Sequence, residues 1–318
     1  MKALNLTSKL LLSLLTAISF SFATVVPASA QAADEPERYR PQGREIAREI
    51  SNEFDKAMYE VRTYTPEVNV DEFGAATIFY PLTLSFTKAA SAVVFVPGYY
   101  GVAEQYDWWG PALASLGIVT MMIDTNSRDD DFQKRVQAHI AAVKFLKDEV
   151  ANSDSPISGK VDTNKVGIMG HSLGGGSALV AAAELGDEIA AVMPLLPYCC
   201  QLNQPLDVDN SKLTVPTLII TATGDTIASP TEHARVMYDS IPDGISKAYI
   251  EFAGGDHNLP LNFDTALSYS GSELKNQARF VFSWMQLQVG DDADYAANFS
   301  SKAIDELDAE FTAIEINQ

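Results

Sequence analysis

The chain has 318 residues, of which 42 are acidic and 22 basic, and its formal net charge is -20. Such an acidic surface repels phosphate backbones and anionic lipids, which argues against nucleic acid as a partner and against electrostatic docking to membranes. Its 47% hydrophobic content is enough for a sizeable core and too high for a disordered chain. The 2 cysteines exclude a disulfide scaffold and a four-ligand cysteine zinc site.

Residues 1–30 have the order of a secretory signal peptide. Lys2 and Lys9 precede an apolar stretch from residue 10 to residue 22, and Ala28-Ser29-Ala30 offers a cleavage site. Serine and threonine interrupt the apolar stretch, which is shorter than the ~20 residues that a membrane span needs. We therefore expect cleavage near Ala30, no stable membrane insertion afterwards, and a secreted protein, either extracellular or periplasmic.

The next segment, residues 31–58, is polar and charged but has apolar residues at helical spacing. These are Ile46, Ile50, Phe54, Ala57 and Met58. The spacing predicts a short amphipathic helix at the entrance to the main domain.

Residues 59–289 alternate short apolar stretches with helical patterns. The predicted strands cover residues 59–64, 76–80, 92–96, 118–123, 165–169, 189–193, 217–221 and 247–252. The predicted helices cover residues 109–117, 132–150, 173–185, 233–240 and 273–289. This alternation predicts one α/β domain with a mainly parallel sheet and helices on both faces.

Residues 290–318 form an acidic tail, with eight acidic residues against Lys302 alone. Such a segment is typical of a solvated appendage or an edge helix. A calcium site is less favoured, because the tail lacks the spacing and the glycine of an EF-hand. We expect no metal site.

Gly170-His171-Ser172-Leu173-Gly174 fits the pattern G-x-S-x-G, between a predicted strand and a predicted helix. This context is typical of a nucleophile elbow, in which small residues on both sides of the serine allow a tight turn that exposes its hydroxyl. The motif predicts the α/β-hydrolase fold, with Ser172 as the nucleophile.

A serine nucleophile needs a positioned base, and four histidines are available. His139 and His233 are predicted on helices, and His171 adjoins the serine but points elsewhere in an elbow. His257 follows a strand and a glycine-rich loop, at the sheet edge where the serine also lies. We assign His257 as the general base.

The third member of a triad must orient the base. Asp225 follows the apolar strand that ends near residue 221, so its carboxylate is expected at the same sheet edge. Ser172, Asp225 and His257 then have the chain order of α/β-hydrolases. Asp256 adjoins the base and would have difficulty reaching its Nδ1, while Asp124 is expected to hold a local turn.

Acyl transfer also needs hydrogen-bond donors for the developing oxyanion. One is expected from the backbone N–H of Leu173, the residue after the nucleophile. For the second we choose the N–H of Tyr99, in the loop Val96-Pro97-Gly98-Tyr99 that follows an early strand.

Taken together, residues 59–289 resemble the bacterial cutinases and polyester hydrolases, a group that includes enzymes acting on poly(ethylene terephthalate). The matching stretches are Phe79-Tyr80-Pro81, Val96-Pro97-Gly98-Tyr99, Trp108-Trp109-Gly110-Pro111, Ile123-Asp124-Thr125-Asn126-Ser127, Gly159-Lys160-Val161-Asp162-Thr163, Gly170-His171-Ser172-Leu173-Gly174-Gly175, Asp225-Thr226-Ile227-Ala228 and Gly254-Gly255-Asp256-His257. Their order and spacing are far more specific than the elbow alone.

The resemblance implies an open cleft without a large lid, in which Tyr99 and Tyr198 clasp the acyl part of an ester and Ile227 lines the same wall. The family usually has tryptophan at position 198 and methionine at position 173, where this chain has tyrosine and leucine. The cysteines that usually link the family's C-terminal segment have no counterparts here.

Cys199 and Cys200 follow Tyr198 directly. Adjacent Cα atoms lie about 3.8 Å apart, below the normal range for a disulfide, so we favour buried free thiols over a vicinal bridge. Trp108 and Trp109 open a predicted helix, and core packing is favoured over substrate stacking.

The residues point to a secreted serine carboxylic-ester hydrolase that works through an acyl-enzyme and requires no cofactor. The resemblance favours cutinase-like hydrolysis of polyesters, of the poly(ethylene terephthalate) type or aliphatic. The alternatives are a short-chain esterase or lipase of the same fold, and a non-catalytic exported binding protein. An ester or polyester is the expected partner, and a monomer is favoured.

Overall fold

One twisted sheet runs through the protein. The computed structural model describes residues 41–82, 88–199, 210–261, 271–307 and 309–317. Within these ranges the sheet has nine strands. In chain order they are β1 Val61–Tyr64, β2 Ala75–Pro81, β3 Ala90–Val96, β4 Ile118–Asp124, β5 Val161–His171, β6 Ala191–Leu195, β7 Thr217–Ala222, β8 Lys247–Phe252 and β9 Phe311–Asn317.

The strands lie in the order β1-β2-β4-β3-β5-β6-β7-β8-β9. The central strands from β4 to β8 are parallel to one another, while β1, β2 and β9 pair antiparallel at the two sides. The described residues belong to one compact unit. The predicted α/β fold with a mainly parallel sheet is confirmed.

Helices cover both faces of the sheet. They are α1 Pro41–Glu53, α2 Trp109–Ser115, α3 Phe132–Ala151, α4 Leu173–Leu185, α5 Ala234–Asp239, α6 Gly271–Gln288 and α7 Ser301–Asp305. Short 3-10 turns cover Ala103–Tyr106, Gly186–Glu188 and Ala293–Phe299.

Strand β3 shows how the sheet divides the core in two. Val93 and Phe95 point to the cluster that contains residues of α1, α2 and α6. Val94 and Val96 point to the opposite cluster, which contains residues of α3, α4 and α5. Successive strand side chains alternate between faces, so a strand buried on both faces must be mostly apolar, as the continuous apolar stretch of residues 92–96 is.

The parallel strands place four loops at one edge of the sheet. The segments that follow β3, β5, β7 and β8 all leave from the carboxyl ends of their strands, where ligand sites form in sheets of this kind. Each predicted site residue lies in one of these four segments, apart from Tyr198, which follows β6.

The C-terminal segment differs from the predicted appendage or edge helix. Residues 311–317 form strand β9, which pairs with β8 over six positions and closes that side of the sheet. Ile314 and Ile316 pack against the core from this strand. Their alternation with Glu315 is the period-2 signal of a half-buried strand, which the acidic composition of the segment obscured.

The proposed signal segment, residues 1–30, lies outside the described residues. Among the helices that the structure does describe, none is long and apolar enough to cross a bilayer.

Strand β9 should contribute to stability through its inward face. Ile314 lies opposite Ile250 of β8, whereas Thr312 is exposed. We expect Ile314→Ala to lower the free energy of unfolding by about 1–2 kcal/mol, since the side chain is only partly buried, and Thr312→Ala by less than about 0.5 kcal/mol. Urea denaturation measures both, and equal losses would contradict an inward-facing β9.

Candidate active site

The nucleophile elbow lies between β5 and α4. Ser172 adopts φ 57° and ψ -123°, a strained conformation for a residue other than glycine, and α4 begins at the next residue. A Cβ atom on Gly174 would lie 2.2 Å from the carbonyl oxygen of Val96, so only glycine fits there. The turn therefore exists because glycine allows the start of α4 to pack directly against the end of β3.

Three side chains from three separate loops meet at this elbow. His257 Nε2 lies 2.8 Å from Ser172 Oγ, and His257 Nδ1 lies 2.7 Å from Asp225 Oδ2. All three residues are buried. The structure thus brings together the serine, histidine and aspartate that the sequence singled out, in hydrogen-bonded order.

The carboxylate of Asp225 is held on both oxygens. Its Oδ1 accepts hydrogen bonds from the backbone N–H groups of Ile227, at 2.9 Å, and Ala228, at 2.7 Å. The other oxygen is left for His257. Three accepted hydrogen bonds therefore fix the orientation of the carboxylate.

The loop after β3 passes beside the nucleophile. A Cβ atom on Gly98 would lie 2.9 Å from the Cβ atom of Ser172. The N–H of Gly101 donates to the carbonyl of Gly98 at 2.9 Å and closes a tight turn around Tyr99. Among the described residues, no hydrogen-bond acceptor is found for the backbone N–H of Tyr99 or of Leu173.

Aromatic and aliphatic side chains surround the elbow. Tyr99 is 43% exposed and Ile227 is 58% exposed, and Tyr100 lies edge-on to Tyr99. The half-buried Tyr198 donates its backbone N–H to the carbonyl of Ser172 at 2.9 Å. Its ring packs on that of His233, with 4.3 Å between the centroids. Two of the residues predicted to contact substrate, Tyr198 and Ile227, thus donate backbone hydrogen bonds to triad residues. The third, Tyr99, follows Gly98, which lies against Ser172.

A model of the family described as PET hydrolase-like matches residues 42–315. The chain belongs to this family. Its α/β-hydrolase fold is confirmed, and members of this hydrolase family act on carboxylic esters, so this chain is a carboxylic-ester hydrolase.

Relatives of known name support this family membership. A bis(hydroxyethyl) terephthalate hydrolase from Streptomyces coelicolor is 33% identical over 273 residues, which cover 86% of this chain and 79% of the relative. Cutinase 2 from Thermobifida cellulosilytica is 37% identical over 190 residues, 60% of this chain and 68% of the relative. A cutinase from Thermobifida fusca is 33% identical over 259 residues, 81% and 78% of the two chains.

In this PET hydrolase-like protein, the residues that were alternatives to Asp225 and His257 make other contacts. Asp256 Oδ1 accepts from the N–H of Asn258 at 2.7 Å, and Asp124 Oδ1 accepts from that of Ala103 at 2.7 Å. His233 Nδ1 accepts from the N–H of Cys199 at 3.2 Å. Only the contact of Asp256 lies within a local turn. Asp124 instead binds the first residue of the 3-10 turn Ala103–Tyr106, and His233 binds the segment after β6.

Two residues that sequence reasoning did not assign to the site support its backbone from α3. Arg135 is fully buried and donates to the carbonyl oxygens of Pro97 at 2.9 Å, Arg128 at 3.0 Å and Asp130 at 3.1 Å. The carbonyl of Arg128 also accepts from the N–H of Tyr100 at 2.7 Å. Arg135 therefore holds the backbone on both sides of Tyr99.

One turn further along α3, His139 is also buried, with its Nε2 2.8 Å from the carbonyl oxygen of Gly174. Burial lowers the pKa of His139 to about 4, so the ring is neutral near pH 7. Their spacing is the sequence signal that could have identified Arg135 and His139 as inward-facing residues. They recur on one face of the helix with Ala142 and Leu146, and all four are buried.

Trp108 and Trp109 pack in the core, as predicted, but they also reach the loop of the base. Both are fully buried, and both indole N–H groups donate to the carbonyl of Pro260, at 3.1 Å and 3.0 Å. This residue lies three positions after His257. The paired tryptophans therefore hold the loop that carries His257.

The preference for free thiols is wrong for Cys199, which is buried and disulfide-bonded. Cys200 is the other cysteine of the sequence and lies outside the described residues. Within the described residues, no group of three or more His, Cys, Asp or Glu side chains is placed to hold a metal ion.

The buried neutral state of His139 should make stability pH-dependent. Between the unfolded pKa of about 6.5 and the folded value of about 4, the unfolded chain binds more protons, so the free energy of unfolding falls as the pH falls. From about pH 6.5 to about pH 5, we expect His139 to account for a loss of about 1.5 kcal/mol.

Urea denaturation of the wild type and of His139→Gln at these two pH values measures the effect. Glutamine retains an N–H donor for the carbonyl of Gly174 but does not titrate. The variant should lose less stability than the wild type on acidification. Parallel losses in the two proteins would contradict a buried neutral His139.

Proposed function

We propose that this protein is a secreted polyester hydrolase of the cutinase type that acts through an acyl-enzyme. The observation that carries the proposal is the hydrogen-bonded line from Ser172 Oγ through His257 to Asp225. It lies at the carboxyl edge of the sheet, on an elbow where Ser172 adopts a strained positive φ.

The line defines the proton positions needed for attack. Asp225 can only accept when ionised, so His257 donates from Nδ1 and leaves Nε2 to accept the proton of Ser172. Ser172 Oγ then attacks the ester carbonyl while His257 takes its proton, and the charge on Asp225 stabilises the resulting imidazolium.

The reaction then divides into two halves. The tetrahedral intermediate collapses, His257 protonates the leaving alcohol, and the acyl group remains on Ser172. Water, deprotonated by His257, then attacks the acyl carbonyl. The bond from the acyl carbon to Ser172 Oγ breaks, the acid leaves, and His257 returns the proton to Ser172. The N–H groups of Tyr99 and Leu173 donate to the oxyanion in both halves, in keeping with the lack of another acceptor for either group among the described residues.

Polyesters are the proposed substrate class. Tyr99, Tyr100 and Ile227 are large, exposed and apolar, and they lie beside the triad. Exposed apolar groups next to a nucleophile suit a substrate that lies across the surface and cannot enter a closed pocket. The names of the relatives, a bis(hydroxyethyl) terephthalate hydrolase and cutinases, point to ester substrates of this kind.

Secretion is supported by two features. The sequence of residues 1–30 has the order of a signal peptide. The disulfide at Cys199 is the type of bond that persists in oxidising compartments outside the cytoplasm.

The triad is tested by turnover of p-nitrophenyl butyrate. We expect Ser172→Ala to lower kcat by more than about 10³-fold, because it removes the nucleophile. We expect Asp225→Asn to lower kcat by about 10²- to 10⁴-fold, because asparagine does not hold the imidazole of His257 in the correct tautomer. Asp256→Asn is the matched control, since asparagine keeps the oxygen that accepts from Asn258.

Equal turnover by the wild type and Ser172→Ala would contradict the triad. No turnover by the wild type would favour a non-catalytic binding protein. A large loss in Asp256→Asn with normal Asp225→Asn would instead move the orienting role to Asp256.

The substrate class is tested with a polyester film. We expect Tyr198→Ala and Ile227→Ala to lower soluble product release from the film by about tenfold, while turnover of p-nitrophenyl butyrate changes by less than about threefold. A long chain uses both contacts, and a small ester does not. Hydrolysis of tributyrin without any film hydrolysis by the wild type would identify a short-chain esterase instead.

A further inference from the structure

Two buried polar side chains beside the triad have no part in the proposed chemistry. Tyr106 ends the 3-10 turn Ala103–Tyr106, and His171 is the last residue of β5. They are 1% and 4% exposed, and Tyr106 Oη lies 2.7 Å from His171 Nδ1. Burying a phenol and an imidazole is costly unless their polar atoms are paired, so their pairing calls for an explanation.

The direction of each hydrogen bond follows from the partners. His171 Nε2 lies 2.8 Å from the backbone carbonyl oxygen of His257, which can only accept, so Nε2 carries the proton. Burial and the neighbouring His257 hold the pKa of His171 well below its usual range, so the ring is neutral. Its Nδ1 therefore accepts, and the hydroxyl of Tyr106 donates.

The same hydroxyl oxygen receives a further hydrogen bond. The backbone N–H of Gly98 donates to Tyr106 Oη at 3.4 Å. The result is a continuous path that starts at Gly98, passes through Tyr106 and His171, and ends at the backbone of His257. The Tyr106 ring is kept in place by Phe95 of β3, with 4.7 Å between the ring centroids.

The path joins backbone segments that are far apart in the sequence. Gly98 precedes Tyr99, whose N–H is one of the proposed oxyanion donors. His257 is the proposed base, and it follows Gly254 and Gly255, which both have positive φ. His171 itself directly precedes the nucleophile. One pair of side chains thus contacts all three parts of the site, and the ring of His171 also packs beside that of His257, with 4.7 Å between the centroids.

We propose that Tyr106 and His171 are positioning residues for ester hydrolysis, which hold the base and the oxyanion loop at a fixed spacing around Ser172. This inference rests on the proposed function of the triad. Displacing a catalytic group by a fraction of an ångström lowers the rate more than it lowers ground-state binding. The expected signature is therefore a lower kcat at nearly constant KM.

The first test is Tyr106→Phe, which keeps the ring and removes the hydroxyl. We expect kcat for p-nitrophenyl butyrate to fall by about 5- to 20-fold and KM to change by less than about twofold. Tyr64→Phe is the matched control, because the hydroxyl of Tyr64 contacts Glu149 and Ser155 under β1, away from the site. It should leave kcat unchanged even if it lowers the melting temperature.

A double-mutant cycle tests the path itself. In His171→Gln the side-chain amide can still donate to the carbonyl of His257 but no longer offers the imidazole Nδ1 to Tyr106. If the two residues act through one path, Tyr106→Phe combined with His171→Gln should lower kcat no further than either change alone. If Tyr106→Phe fails to fold, the kcat and KM of His171→Gln carry the test.

Normal kcat in folded Tyr106→Phe, or additive losses in the cycle, would overturn the positioning role. A fall in kcat for Tyr64→Phe equal to that for Tyr106→Phe would also overturn it, by making the effect one of general stability. Wild-type turnover and its loss in Ser172→Ala test the proposed function separately, so failure of one inference is distinguishable from failure of the other.

Discussion

The close approach of the start of α4 to the end of β3 is the constraint on which the site depends. Gly174 packs against the carbonyl of Val96, and this contact is possible only without a side chain. It forces Ser172 into a positive φ and raises its hydroxyl at the edge of the sheet. The loop after β3 must then pass beside the serine, which places Gly98 against it. A tightly packed interior stores such strain because the surrounding core determines the backbone.

Backbone carbonyls at the carboxyl edge of the sheet accept hydrogen bonds from buried polar side chains. This explains why α3 and β5 carry such side chains. Arg135 and His139 donate to the loop after β3 and to the elbow, and His171 donates to the loop of the base. An irregular backbone cannot use the regular pattern of sheet bonds, so its carbonyls need other donors. The hydrogen bonds that offset the free-energy cost of burying these carbonyls also fix the geometry of the site.

Part of the negative charge of the chain is paired with basic side chains. Among the described residues between 290 and 318, four acidic side chains form ion pairs with basic side chains elsewhere in the chain. Asp292 and Asp294 pair with Lys56, Asp291 with Lys165 and Glu315 with Arg235. Pairs on the surface contribute little to stability. The segment is held mainly by the pairing of β9 with β8 and by its apolar inward face. The excess of acidic residues in this segment therefore belongs to the solvated outer surface of a segment that is part of the domain.

The sequence by itself determined the α/β fold, because strand and helix periodicities are local patterns. It also predicted the elbow and the candidate triad of Ser172, Asp225 and His257 from glycine spacing and the order of the residues along the chain. Only the tertiary structure decided the partners of Arg135, His171 and Tyr106, since their hydrogen bonds join segments up to 86 positions apart. It also decided that the tail ends in a strand, because pairing with β8 outweighs the acidic composition. Local patterns reveal which residues can react, and long-range packing decides which residues hold them in place.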